Sequence, residues 1–323
     1  MPSTTETSTA VRDQGGAATA APPGPPPSRA RRPSRWWAWG FLAPVTIYLA
    51  AFYAYPLYRN VELSLREYTV RSFVQGGAPF AGLDNYRTVL TDPAFGPTLT
   101  HTVVFTATSL AFQFTIGMAL ALFFHQHFPL SRTLRALILV PWLLPLIVSA
   151  STWSWLLNSD SGLVNAALGV VGIDPVNWLT SPGWSLTSVI IANVWIGIPF
   201  NLVVLYSGLQ AIPTEMYEAS ALDGATGWQR FWGITFPLLR PVSLITLLLG
   251  LIYTLKVFDI IWIMTKGGPT GSSATLATWS YRLGFGNLLP EFGPGAAIGN
   301  LLIVLALIAG LVYIRIERRQ QLR

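Results

Sequence analysis

The side chains able to do chemistry are few in this chain of 323 residues, and they are scattered. Cysteine is absent, which removes disulfides, thiolate metal sites and cysteine nucleophiles. His101 falls at one end of an apolar run, with His125 and His127 at the other, and no third ligand lies near either, so no metal site is expected. Neither a carboxylate pair nor a Ser/His set converges, which argues against an enzyme. Lys256 follows Leu255 and Lys266 follows Thr265, so no phosphate-binding GxxxxGK[ST] loop exists and the chain is expected to bind no cofactor. What remains lies within apolar stretches. Lys256 and Asp259 stand three residues apart inside one such run, at neighbouring positions of a continuous helix, where they can form an ion pair or face a solute. Trp153, Trp155, Asn193, Trp195, Asn201 and Tyr253 are aromatic or amide groups in similar runs. Rings that stack and amides that hydrogen-bond hydroxyls can line a path for a polyhydroxylated solute; ordinary packing is the alternative reading.

These groups need elements to hold them, and the composition says which kind. Hydrophobic residues make up 52% of the chain and charged residues 11%, under half the share usual in a soluble domain. Six stretches are long enough to cross a hydrocarbon layer as helices, near residues 36–58, 98–124, 136–157, 184–209, 241–264 and 295–314. They are continuous apolar runs without alternation, which favours helices over a barrel. The expected fold is therefore an all-α membrane protein of six transmembrane helices. Residues 1–34 are rich in Ser, Thr, Ala, Gly and Pro and read as a disordered tail, with residues 35–323 as one membrane domain. Gly295 and Gly299 form a small-xxx-small pair that allows close helix approach.

Basic residues set the orientation. With both termini in the cytoplasm, thirteen arginines fall on the inner side and six cations on the outer side, and the outer loop 158–183 carries none. The 20 basic against 14 acidic residues gather at the chain ends and in short loops, not in a stripe, which argues against nucleic acid as a partner and for a lipid environment.

The inner loop 210–241 is long and patterned, "QAIPTEMYEASALDGATGWQRFWGITFPLLRP". Thr214 reads as an N-cap with Glu215 and Glu218 in the first turn, Gly224 as a turn, and a second helix runs from about Trp228 to Ile234 until Pro237 stops it. The result is a cytoplasmic helix-turn-helix tethered between two spans. Trp228, Phe231 and Trp232 are candidates for docking contacts or for lipid-interface anchors.

This loop resembles the EAA loop of ATP-binding-cassette importer permeases. Glu218, Ala219 and Ser220 stand for its opening triplet, Asp223, Gly224 and Ala225 for its turn, and Ile234, Thr235, Phe236 and Pro237 for its closing Ile-x-Leu-Pro, with Ser and Phe replacing Ala and Leu. "GLDNYRTVL" (82–90) and "KVFDIIWIMTKGGP" (256–269) are similar to the sugar-permease branch, the MalF-like partner of a two-permease pair in a six-span form. The resemblance implies a transport subunit for a sugar or oligosaccharide, or for another solute such as a polyamine or glycerol phosphate. It also implies a second permease, two ATPase subunits carrying ATP and Mg, and an extracellular solute-binding protein. Glu218, Ala219, Ser220, Asp223, Gly224, Ala225, Ile234 and Pro237 are then expected to couple the permease to the ATPase.

Overall fold

The computed structural model describes residues 35–126 and 128–321; the expected disordered tail and His127 lie outside the described residues. Every regular element among them is helical, and the only β feature is an isolated bridge between Arg66 and Phe80. The chain divides into two compact units, one ending at Phe52 and the other starting at Tyr53. The first holds α1 (Arg35–Leu49), whose described side chains are all exposed, as suits a helix facing lipid. A π-helical turn, Ala50–Ala54, follows it.

The second unit continues with α2 (Tyr55–Ser64), two short surface helices, α3 (Val70–Gln75) and α4 (Asp84–Thr91), and the long α5 (Phe95–His125). Then come α6 (Ser131–Leu143), α7 (Leu146–Leu156), α8 (Leu163–Val170) and α9 (Ser185–Gln210). The chain closes with α10 (Thr214–Leu222), α11 (Gly227–Arg230), α12 (Phe236–Leu255), α13 (Asp259–Met264), α14 (Leu276–Tyr281) and α15 (Phe292–Gln321). Five uninterrupted helices among the described residues are long and apolar enough to cross a bilayer: Trp39–Ser64, Phe95–His125, Ser185–Gln210, Gly227–Leu255 and Phe292–Arg318. The sixth expected span is a pair, α6 and α7, bent by 98°.

Three expectations from the sequence need correcting. The stretch 136–157 is not one helix, because Pro145 has no N–H to continue the ladder and its ring excludes the carbonyl four residues earlier. Leu144 is accordingly extended (ψ 141°) and α7 starts afresh. The fifth span does not run from 241 to 264. It begins at Gly227 and ends at Leu255, and Asp259 opens a separate short helix. Pro237 does not stop the helix, because a π-helical turn, Phe231–Thr235, widens the backbone directly before it and Pro237 sits in the first turn of α12, where no N–H is needed. The two helices of the loop are thus α10 and the start of the fifth span itself.

Between apolar helices in lipid, close packing and hydrogen bonds replace the hydrophobic effect as the cohesive terms. The most extensive pair is α5 against α9. A Cβ at Gly117 of α5 would collide with Asn201 of α9, and one at Gly197 of α9 would collide with the Gln113 amide, so both glycines are what allows the approach. α5 turns a buried polar stripe inward, Thr98, Thr102, Thr106, Ser109 and Gln113, at intervals of three or four residues, one face of a helix. Gly295 also lies close to the backbone of Gly284, whereas Gly299 is in ordinary contact only.

The "DNY" of the segment before α5 is structural. Asn85 donates to the carbonyl oxygens of Ser64 and Arg66, at 2.9 and 3.0 Å. The Tyr86 hydroxyl lies 2.9 Å from Ser64 Oγ, and Asn300 donates to both hydroxyls at 2.9 Å while accepting from Asn60 at 2.7 Å. The network ties α2, α4 and α15 together with every amide partnered.

The loop containing Asp174 and the helix beginning at Thr214 leave opposite ends of α9, a helix of 26 residues and so roughly 39 Å long at 1.5 Å per residue. With termini inside, Asp174→Cys in intact cells should react with a membrane-impermeant maleimide and Glu215→Cys should react only after permeabilisation. The reverse pattern would invert the assigned orientation.

Candidate functional site

Two regions hold the residues singled out by the sequence. The first is a cavity of about 440 Å³ where α5, α9, the end of α12 and the α6–α7 bend meet. α12 ends at Leu255, and Lys256, Val257 and Phe258 form a non-helical step before α13. That step puts Lys256, Phe258 and Asp259 on the cavity wall beside Tyr253, Asn193 and Gln113. The bend before Pro145 contributes Trp142. Phe200 makes edge contacts with Trp142 and Tyr253, each at 6.2 Å between ring centres, giving the wall a continuous aromatic panel.

The polar groups of the wall differ in how they are satisfied. Gln113 Nε2 donates to the Asn193 carbonyl oxygen at 2.9 Å. The Asn193 side chain is 5% exposed, and its Nδ2 has no partner among the described residues. A buried donor left without an acceptor forgoes about 1–3 kcal/mol, and this nitrogen is closed off from solvent, so the rest of the Asn193 side chain is what borders the cavity. Lys256 and Asp259 do not pair, contrary to the ion-pair reading: the described salt bridges are those of Glu62 with Arg59 and Arg66. The reason is the helix break, which removes the i,i+3 geometry that pairing needs. The Lys256 ammonium lies 4.9 Å from the Tyr253 ring centre instead, a cation–π contact, and Asp259 sits in the first turn of α13, where a carboxylate meets the positive end of the helix.

Asn193, Tyr253, Lys256 and Asp259 therefore come together, while the other four path candidates lie elsewhere. Trp153 and Trp195 stack edge-on at 5.9 Å, with Trp153 packed on the apolar core. Trp155 is an exposed residue of α7, absent from the cavity wall. Asn201 is fully buried, seated on Gly117 and donating to the Gly197 carbonyl oxygen at 2.9 Å. Gln113, Trp142, Phe200 and Phe258 were missed. A lone amide in the apolar run 98–124 was a usable signal for Gln113; the three aromatics had none, because the bend decides where Trp142 points, the break decides it for Phe258, and the rotation of α9 decides it for Phe200.

The second region is the α10–α11 turn. α10 closes in a Schellman motif: Ala225 N–H donates to the Ser220 carbonyl oxygen at 3.0 Å and Gly224 N–H to that of Ala221 at 3.1 Å. Gly224 has φ +74°, a left-handed conformation that costs a side-chain-bearing residue about 1–2 kcal/mol. No atom lies within 4 Å of where its Cβ would be. Thr226 then caps α11 in a reciprocal capping box with Gln229. Thr214, read as the N-cap of α10, is instead its first residue; Pro213 holds the cap position without a side-chain bond. Tyr217 and Thr235 hydroxyls meet at 3.0 Å and pin α10 to the π turn that contains Ile234. Glu218, Ala219, Asp223 and Gly224 are exposed, and so are Leu222 (90%) and Trp228 (72%). Ser220, Ala225, Ile234 and Pro237 are partly buried and shape the turn.

A bundle of apolar helices with a broken span beside a cavity and a structured polar loop between the fourth and fifth spans defines a membrane transport component. Residues 113–322 match the model of the binding-protein-dependent transport system inner membrane component family. The chain belongs to that family: it is a multi-pass inner-membrane permease, a transport component and not an enzyme. It is 40% identical to the trehalose/maltose transport system permease protein MalF of Thermococcus litoralis over 74% of this chain and 80% of that protein. It is 33% identical to the sulfoquinovosyl glycerol transport system permease protein SmoG of Agrobacterium fabrum over 86% of this chain and 89% of that protein. Among solved structures it resembles a chain of a bacterial ABC transporter involved in the import of the acidic polysaccharide alginate, with a TM-score of 0.75 at 26% identity, covering 88% of this chain and 96% of that one.

A double-mutant cycle tests the absence of a Lys256–Asp259 pair. The effects of Lys256→Ala and Asp259→Ala on the yield of assembled transporter should add within about 0.5 kcal/mol. A double variant markedly better than that sum would show that the two charges interact.

Proposed function

We propose that the chain is one of two permease subunits of an ATP-driven importer for a sugar or oligosaccharide, with both termini in the cytoplasm. The cavity is its half of the solute path. The observation that carries this reading is the combination on one wall of an aromatic panel, Trp142, Phe200 and Tyr253, with the unpartnered amide of Asn193. Rings cover the apolar faces of a sugar, and the amide, Lys256 and Asp259 meet its hydroxyls. The relatives support the solute class, since their names record trehalose, maltose and sulfoquinovosyl glycerol as cargo. A structure of the alginate importer in complex with an alginate pentasaccharide-bound periplasmic protein supports delivery by an external binding protein.

ATP is hydrolysed on separate subunits, and the α10–α11 turn passes their movement to the bundle. The open space around Gly224 leaves the turn free to enter a groove, with Leu222 and Trp228 as projecting apolar contacts and Glu218 and Asp223 as charges. The Tyr217–Thr235 contact and the unbroken helix Gly227–Leu255 make a rigid lever from the turn to the cavity step at Lys256.

The transporter, purified with its partner subunits and binding protein and placed in proteoliposomes, should take up an oligosaccharide from a panel of maltose, trehalose and lactose in an ATP-dependent manner. Uptake of a polyamine or an amino acid with none of these sugars would refute the solute class. Gly224→Val should still assemble, because nothing crowds the new side chain and the left-handed backbone costs it about 1–2 kcal/mol in an exposed turn, yet lose at least about tenfold in uptake as the turn loses its fit. Full uptake by that variant would remove the turn from the coupling path. Asn193→Ala should raise the half-saturating solute concentration by about five- to tenfold, from the loss of hydrogen bonding worth about 1–1.5 kcal/mol.

A further inference from the structure

A second cleft, of about 670 Å³, opens at the end of the bundle where α5 and α9 finish and α6 and α10 begin. Arg132 and Arg135 line it together with His125, Tyr206 and Gln210, and no acidic residue is among the described residues of its wall. Arg135 is held in place from below: its guanidinium lies 4.2 Å from the Tyr206 ring centre and 5.9 Å from that of Phe124. Its Nε is shut off from solvent without a hydrogen-bond partner. These cation–π contacts hold the group in place while no protein acceptor among the described residues takes its terminal nitrogens, which are left for a phosphate. α6, of 13 residues, starts at the cleft with neither a side-chain cap nor an acidic residue in its first turn, so one positive helix end adds to the two arginines, while Glu215 offsets the start of α10.

The other wall is apolar. Phe128 stacks on Phe124 at 5.9 Å and lies 4.8 Å from the ring centre of Phe123, which is half exposed on the side of α5. An aromatic surface thus leads out of a basic pocket at the rim of the spans. A soluble anion has no use for that surface, whereas a lipid needs both parts. We infer that this cleft binds the phosphate headgroup of an anionic phospholipid at the membrane surface next to the start of α10. Basic pockets between transmembrane helices take such headgroups, and a lipid seated here touches Gln210 and Thr214, the residues from which α10 departs. Bilayer composition then bears on the segment assigned above to ATPase coupling; the binding itself does not depend on that assignment.

The test is native mass spectrometry of the complete purified transporter, delipidated and titrated with phosphatidylglycerol or phosphatidylcholine. Phosphatidylglycerol should be retained in preference. Each arginine near the surface contributes about fivefold, so Arg132→Gln/Arg135→Gln should lose on the order of tenfold or more of that preference. Should the double variant fail to assemble, Arg132→Glu decides, because the Arg132 side chain is exposed and the Arg135 stack is untouched. It should lose at least about fivefold. Retention equal for both lipids, or unchanged in whichever variant assembles, overturns the proposal. So does displacement of the lipid by millimolar inorganic phosphate, which marks a free-anion site, or loss of the ATPase subunits in Arg132→Glu with lipid retention intact, which marks a protein contact.

Discussion

The Gln113 amide crosses from α5 to donate to the Asn193 carbonyl oxygen of α9, deep in the bundle and with Gly197 directly beneath it. In lipid this one contact has unusual leverage. A second helix gains nothing by leaving water, so α5 and α9 stay together only where their backbones approach closely enough for dispersion and for such a bond. The bond needs Gly197, the approach needs Gly117, and Asn201 fills the space that Gly117 leaves. The pair so formed is the wall on which α12 and α13 settle, and its inner side is the cavity. Gln113 takes the backbone oxygen of Asn193 and leaves the Asn193 side chain on the cavity wall. Structural satisfaction and available chemistry come from the same residue.

The interruptions in the spans follow from the same economy of hydrogen bonds. Lipid tolerates a broken helix only where protein or a cavity covers the break. The two breaks in the spans among the described residues, at Leu144–Pro145 and at Lys256–Phe258, border the cavity, which Leu144 and Val257 line. Each turns a residue inward that a straight helix would have placed elsewhere, Trp142 in one case and Phe258 with the two charges in the other. The π turn before Pro237 is a different solution to a similar problem. There the helix is kept whole, so that the α10–α11 turn and the cavity are joined by continuous backbone.

The opposite end of the bundle is held by polar side chains rather than breaks. Asn60, Ser64, Tyr86 and Asn300 satisfy one another, and Asn85 fastens the chain before α5 to the end of α2. A fully partnered network of this kind specifies one arrangement, since any slip leaves buried amides without partners. In this network each amide side chain has a partner, whereas the Asn193 side chain has none among the described residues.

The amino-acid sequence by itself determined the membrane class, the helical fold, the six apolar stretches and the patterned loop, because each depends on residues close together in the chain. Length and apolarity fix what can cross a bilayer, and the Ser220–Ala225 spacing writes a helix stop that local hydrogen bonds complete. Most of the second region was legible for this reason, down to the turn at Gly224. The tertiary structure decided what the sequence left open. Lys256 and Asp259 sit in a composition that permits an ion pair, and only the end of α12 at Leu255 shows that they face a cavity separately. Trp153, Trp195 and Asn201 have the same residue types as the cavity wall, and rotation of their helices sends them into packing instead. The direction of a side chain in a bundle is set by which neighbour its helix meets, and that meeting is made by residues far apart in the chain, such as Gln113 and Asn193.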